Sequence, residues 1–159
     1  MFKTKKADWY FIIPASLVWI SALMVTTWDF VELQEAVYHF GFASLIGLFF
    51  MVTGVGIRIV ARKTLGKHFS YALRTLEAHE LVRDGIYEHL RHPAYSGDLL
   101  FHFGTPLLFS SWYGFLLMLL LIPCIVYRIR IEESMLVERF GDEYRNYRQT
   151  SKKLIPYLY

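Results

Sequence analysis

Three stretches of this chain hold no Asp, Glu, Lys or Arg: residues 9–28, 36–57 and 99–127. A helix needs roughly 20 apolar residues to cross the hydrocarbon of a bilayer. Inside that layer each backbone polar group must be satisfied by the segment itself, which leaves helices or closed barrels. The first two stretches fit one helical crossing each. The third would extend roughly 44 Å as a single helix, against a hydrocarbon core of ~30 Å. Ser110-Ser111-Trp112-Tyr113-Gly114 sits in its middle, a turn-forming cluster with aromatics suited to the interface. The third stretch therefore reads as a hairpin of two helices.

The basic residues agree. Of the 17 Lys and Arg, three (Lys3, Lys5, Lys6) precede the first span, seven (Arg58 to Arg91) lie between the second and third, and seven (Arg128 to Lys153) follow the long stretch. The connection between spans one and two carries Asp29, Glu32 and Glu35 and no Lys or Arg. A hairpin keeps every basic segment on the cytoplasmic side, whereas a single span would translocate seven of them, against the positive-inside tendency. The expectation is an all-α integral membrane protein with four transmembrane helices, at 9–28, 36–58, 94–110 and 112–130, and with both termini cytoplasmic. The N-terminal Lys residues ahead of an apolar run resemble a signal peptide. The run is too long for one and lacks a small-residue exit, so it is kept as the first span.

With 55% hydrophobic residues, 159 residues make one membrane domain, read as a two-helix anchor over 1–60 and a cofactor-binding and catalytic region over 61–159. A net charge of +3 could suggest nucleic acid. The basic residues flank spans and no nucleic-acid motif accompanies them, so anchoring at lipid headgroups explains them. Cys124 is the lone cysteine, and the histidines show no metal-ligand spacing, so no metal site is expected. Gly41, Gly47, Gly54 and Gly56 in the second span suit close helix packing.

Residues 61–93 form a polar insertion with regular apolar anchors, expected to pack on the membrane face, and Pro93 is placed to start a helix. The fourth helix is expected to run unbroken into Arg128–Tyr147, whose mixture of apolar and charged residues suits an interfacial helix. Insertion and interfacial helix would meet over the cytoplasmic side of the bundle. Asp98, near the start of the third span, could pair with Arg91, touch headgroups or line a site.

Two constellations carry the chemistry. One is His79-Glu80-Leu81-Val82 with Gly85 and Tyr87, followed by Arg91-His92-Pro93-Ala94-Tyr95; the other is Arg128 with Glu132-Glu133, followed by Phe140-Gly141-Asp142-Glu143-Tyr144. In this order and spacing, from about Leu65 to Pro156, the sequence resembles the isoprenylcysteine carboxyl methyltransferases and the related phospholipid methyltransferases. The resemblance implies a membrane enzyme using S-adenosylmethionine. In keeping with it, the chain has no glycine-rich dinucleotide loop of the soluble type. It also implies that His79, Glu80, Leu81, Val82, Tyr87, His92, Pro93, Ala94, Tyr95 and Glu132 hold the cofactor, that Arg128 faces the methyl acceptor, and that Arg74 is an upstream candidate. Arg128 and Glu132 are the implied catalytic pair.

A carboxylate acceptor is ionised at neutral pH and needs no general base. The enzyme then mainly aligns donor and acceptor away from water. A permanently charged guanidinium can hold such a carboxylate through two parallel hydrogen bonds. Arg128 and Glu132 are four residues apart and share a helix face. Partners implied are a lipid-like or prenylated acceptor and membrane lipids.

Taken singly, the same features admit plainer readings. Arg128 and Glu132 could be an ordinary helix-surface pair, His92-Pro93 a helix start, and Tyr87, Tyr95 and Tyr144 interfacial aromatics. Alternative functions are a phospholipid N-methyltransferase, a membrane reductase of the sterol-reductase type and a non-enzymatic membrane scaffold.

Overall fold

A computed structural model describes residues 3–33, 40–66 and 81–155, with side chains from residue 8 onward and up to residue 32 in the first segment. Six α-helices follow one another: α1 (Lys3–Trp28), closed by a wide turn at Asp29–Leu33, then α2 (Phe42–Leu65), α3 (Pro93–Leu108), α4 (Trp112–Met118), α5 (Leu121–Phe140) and α6 (Asp142–Thr150). A 3₁₀ turn, Gly85–Glu88, precedes α3. Three segments are long and apolar enough to cross a bilayer: Asp8–Glu32, Phe42–Leu65 and Trp112–Phe140. Their outer faces expose Leu17, Met24, Phe42, Phe49 and Val52. Such continuous apolar surface suits lipid rather than water.

The tightest packing is between α2 and α3, which run antiparallel. Gly47 lies against Gly104 and Gly54 against Gly97, one pair two helical turns beyond the other. A Cβ on Gly104 would come 2.6 Å from the Gly47 carbonyl oxygen, and one on Gly97 would come 2.6 Å from that of Gly54. No side chain fits there, and backbone contact of this kind associates helices where no hydrophobic driving force exists between them. Polar pairs close both ends of the seam. Ser44 and Ser110 hydroxyls meet at 3.2 Å, and Arg58 forms an ion pair with Asp98. Of the glycines expected to serve packing, Gly41 instead stands just ahead of α2, and Gly56 faces open space.

Several expected boundaries shift. The second helix starts at Phe42, after Gly41, rather than at 36, and runs on to Leu65 rather than 58. Residues 34–39 lie outside the described segments. Its final turn carries Arg62 and Lys63, cations that favour a helix C-terminus. The turn between α3 and α4 falls at Ser110-Ser111, with Ser110 at φ 55° and the Ser111 hydroxyl accepting from the Gly114 N–H at 3.1 Å to cap α4.

The unbroken helix expected from 112 into 147 is interrupted twice. Pro123 has no N–H to give the Leu119 carbonyl, which accepts instead from Ile122 in a tighter turn. At Gly141 the chain adopts φ 54° and turns into α6. Asp98 pairs with Arg58 and not with Arg91, because the glycine seam sets which face of α3 meets α2.

α1 packs on α4 and α5 through Ala22, Met118 and Leu121. Thr26 stands over Gly114, where a Cβ would collide with its hydroxyl. Beyond α6 a strap of residues 151–155 returns along the loop before α3. Arg91 N–H donates to Lys152 O at 2.8 Å, His92 N–H to Lys153 O at 3.1 Å, and the Ser96 hydroxyl to Leu154 O at 2.6 Å. The strap thereby fixes the backbone that presents His92.

Filling the seam should loosen the bundle. Gly54→Leu or Gly104→Leu is expected to cost about 1–3 kcal/mol or more by overpacking. Gly56→Ala is expected to fall within about 0.5 kcal/mol of wild type, as surface changes do. Thermal unfolding in detergent, followed by retention of the monodisperse species, reads the difference.

Candidate functional site

Pro93 begins α3 with its ring in the buried first turn, where the missing N–H costs nothing. That start holds His92, Ala94 and Tyr95 against α5. Facing them on α5 are Arg128 and, about one turn on, the consecutive Glu132 and Glu133.

Glu132 and Glu133 meet opposite surroundings. Glu133 is only 7% exposed and lies 3.0 Å from Arg91 Nε, 3.5 Å from His92 Nε2, 3.7 Å from Arg148 Nη2 and 4.0 Å from Lys153 Nζ. It is a buried anion shared by the loop before α3, by α6 and by the strap. Glu132 is 35% exposed. It accepts the Tyr95 hydroxyl at 2.8 Å and stands 4.0 Å from His92 Nδ1.

Tyr95 in turn receives Arg128 Nε at 3.2 Å. Arg128, 5% exposed, also pairs with Asp8 of α1, and the Phe11 ring stacks under its guanidinium at 5.2 Å. Arg128 and Glu132 thus share a helix face, as their spacing requires, and the Tyr95 hydroxyl links them.

Three further phenols surround this row. Tyr144 is buried, and its hydroxyl finds no hydrogen-bond partner among the described residues. Burial and then the charge of Glu133 push its pKa far up, so it stays protonated and can donate. Tyr87 is buried too and is raised by burial, with Glu132 and Tyr147 adding to the effect. Tyr147 donates to the Tyr87 carbonyl. Burial pushes Tyr147 up to about 12, against the lowering influence of Ser151 and Arg91. His92 Nε2 is likewise buried with no hydrogen bond among the described residues, since 3.5 Å to Glu133 is too long for a good one.

Of the expected site residues, Tyr87, His92, Pro93, Tyr95, Arg128 and Glu132 come together where the start of α3 and the turn before it meet the middle of α5. Ala94 is half-buried beside them. Leu81 and Val82 lie half-buried ahead of the Gly85 turn. His79, Glu80 and Arg74 lie outside the described residues. Sequence reasoning assigned no role to Glu133 or Asp8. Glu133 stood inside the Arg128 motif, and Asp8 is the only acid before residue 29; these were the available signals.

The family model described as phospholipid methyltransferase matches residues 42–143. A probable protein-S-isoprenylcysteine O-methyltransferase of Oryza sativa subsp. indica is 34% identical over 134 residues, covering 81% of this chain and 67% of the relative. The protein-S-isoprenylcysteine O-methyltransferase of Schizosaccharomyces pombe is 37% identical over 112 residues, covering 69% and 48%. The structure of a eukaryotic intramembrane Ras methyltransferase, an isoprenylcysteine carboxyl methyltransferase, superposes with a TM-score of 0.76 at 28% identity, covering 90% of this chain and 52% of that one. The chain spans about half to two thirds of the length of these relatives. With the family model spanning Tyr95, Arg128 and Glu132, and the Oryza relative 34% identical over 67% of its length, the chain belongs to the isoprenylcysteine carboxyl methyltransferase family, related to the phospholipid methyltransferases.

Proposed function

We propose that this protein transfers a methyl group from S-adenosylmethionine to the carboxylate of a prenylated or otherwise lipid-modified acceptor. The observation that carries this reading is the row Glu132–Tyr95–Arg128. It sets a half-exposed carboxylate and a buried guanidinium at the two ends of one hydrogen-bonded line. A carboxylate at one end can accept ribose hydroxyls. A guanidinium at the other end can hold an anionic acceptor.

The residues present suit the cofactor. Tyr144 and His92 each bring a buried polar atom that lacks a hydrogen bond among the described residues, a costly arrangement unless a ligand completes it. S-adenosylmethionine, when bound, supplies a methyl group already activated on a sulfonium. Glu132, His92, Tyr87 and Tyr95 would hold it, with Leu81, Val82, Pro93 and Ala94 as the apolar wall and with His79 and Glu80 contributing from upstream. Arg128 would orient the acceptor, and no residue need take a proton from a group already ionised. Tyr95 keeps the two ends at a fixed distance, the kind of alignment that supplies much of the rate in such sites.

The proposed topology has four spans, with α3 and the α4–α5 segment forming the hairpin and both termini and the site on the cytoplasmic face. The distribution of Lys and Arg supports it. The match to the phospholipid methyltransferase family favours one second reading, an N-methyltransferase acting on a phospholipid amine. A buried cation such as Arg128 would disfavour an amine acceptor.

Calorimetry with S-adenosylhomocysteine on detergent-purified protein tests the cofactor. Glu132→Ala is expected to weaken binding by about 10–100-fold, the worth of a charged hydrogen bond. Unchanged binding would remove Glu132 from the site. Arg128→Lys is expected to leave that affinity within about twofold and to raise KM for N-acetyl-S-farnesylcysteine roughly tenfold, because a lysine loses the forked geometry. Methylation of phosphatidylethanolamine in place of the prenylcysteine would install the N-methyl reading. Glu133→Gln leaves the buried Arg91 guanidinium poorly compensated. It is expected to lower stability by about 3 kcal/mol, read by thermal unfolding of the apoprotein.

A further inference from the structure

Arg128 is already occupied. Its guanidinium pairs with Asp8, and both side chains are largely buried, at 5% and 15% exposure. Phe11, three residues along α1, lies over the same guanidinium and packs with Tyr95 and Leu99 against Ile125, Ile129 and Leu154. One face of the first helix therefore contributes both a counterion and a ring to the residue read above as the acceptor's ligand. A buried guanidinium without an anion is costly, so some carboxylate must stand there when no substrate does. Among the described residues Asp8 is such a carboxylate.

Resting on the proposed function, we infer that Asp8 is a resident placeholder that an acceptor carboxylate exchanges with. Nε of Arg128 is committed to Tyr95 and Nη1 to Asp8. A second carboxylate arriving on this fork meets Asp8 as a like charge in a medium of low dielectric. Acceptor and Asp8 accordingly alternate. The exchange selects for charge, because only a ligand that brings its own carboxylate replaces what Arg128 gives up. It also favours departure of the product: the methyl ester is neutral and holds the guanidinium weakly, so Asp8 displaces it.

The test uses the full chain with S-adenosylhomocysteine binding as the check on folding. The probes are N-acetyl-S-farnesylcysteine and its carboxamide, which lacks the charge. In Asp8→Asn the affinity ratio of carboxylate to carboxamide should rise about tenfold over wild type, the worth of one charged hydrogen bond, while Asp8→Glu keeps the wild-type ratio. A ratio in Asp8→Asn that is unchanged or lower overturns the proposal and makes Asp8 a fixed structural counterion. If Asp8→Asn fails the folding check, the wild-type protein decides through amide hydrogen exchange over residues 8–12. Faster exchange with the carboxylate and not with the carboxamide supports the placeholder, and equal exchange with both overturns it. Wild-type protein that binds S-adenosylhomocysteine but neither probe sinks the acceptor reading, and this inference with it. Binding of both probes without any effect of Asp8→Asn sinks the inference alone.

Discussion

Everything in the site hangs on one buried anion. Glu133 draws Arg91 and His92 from the loop before α3, Arg148 from α6 and Lys153 from the strap to a single carboxylate on α5. Removing Arg91 would leave that carboxylate, itself only 7% exposed, without its nearest cation. The helices alone would not hold these parts together, since α3 and α5 meet only near the start of α3. The ion cluster converts four chain segments, distant in sequence, into one wall. It also releases Glu132 from structural duty, so the more exposed carboxylate of the pair is left to face whatever enters.

The lower half of the molecule follows a different logic. Between α2 and α3 the contact is backbone against backbone, through Gly47, Gly54, Gly97 and Gly104. Lipid offers apolar side chains no reason to leave it, so close approach and a few polar pairs must do what burial does in water. Arg58 with Asp98 and Ser44 with Ser110 are those pairs. α1, by contrast, touches the bundle through ordinary apolar packing and one ion pair.

Much of this was legible in the amino-acid order. The uncharged stretches marked the long helices, and the paired serines marked the turn after α3, because turn chemistry is local. The ordered motifs brought Tyr95, Arg128 and Glu132 to one place. What stayed hidden depended on which helix faces meet. Asp98 finds Arg58 because the glycines choose the face of α3, a choice that no single-helix pattern reveals. Asp8 lies 120 residues from Arg128 and, among three lysines, reads as a surface acid. The interruption before α5 stands just ahead of Pro123, a residue that the length of the uncharged run does not bring to notice. The start of α2 at Phe42 reflects Gly41, which an apolar count passes over.

The adjacency of Glu132 and Glu133 has a consequence for how this fold can change. Neighbouring positions on an α-helix point about 100° apart, and here that angle separates the internal anion from the one open to the outside. One residue inserted between Pro123 and Arg128 would turn both, bringing Glu132 to the buried place of Glu133 and carrying Glu133 a further step round the helix; one residue deleted would bring Glu133 to the open place of Glu132. Loops elsewhere in the chain can lengthen by drift. The segment from Pro123 to Glu133 can change composition but not length, so indels there should be the rarest form of variation among descendants of this sequence.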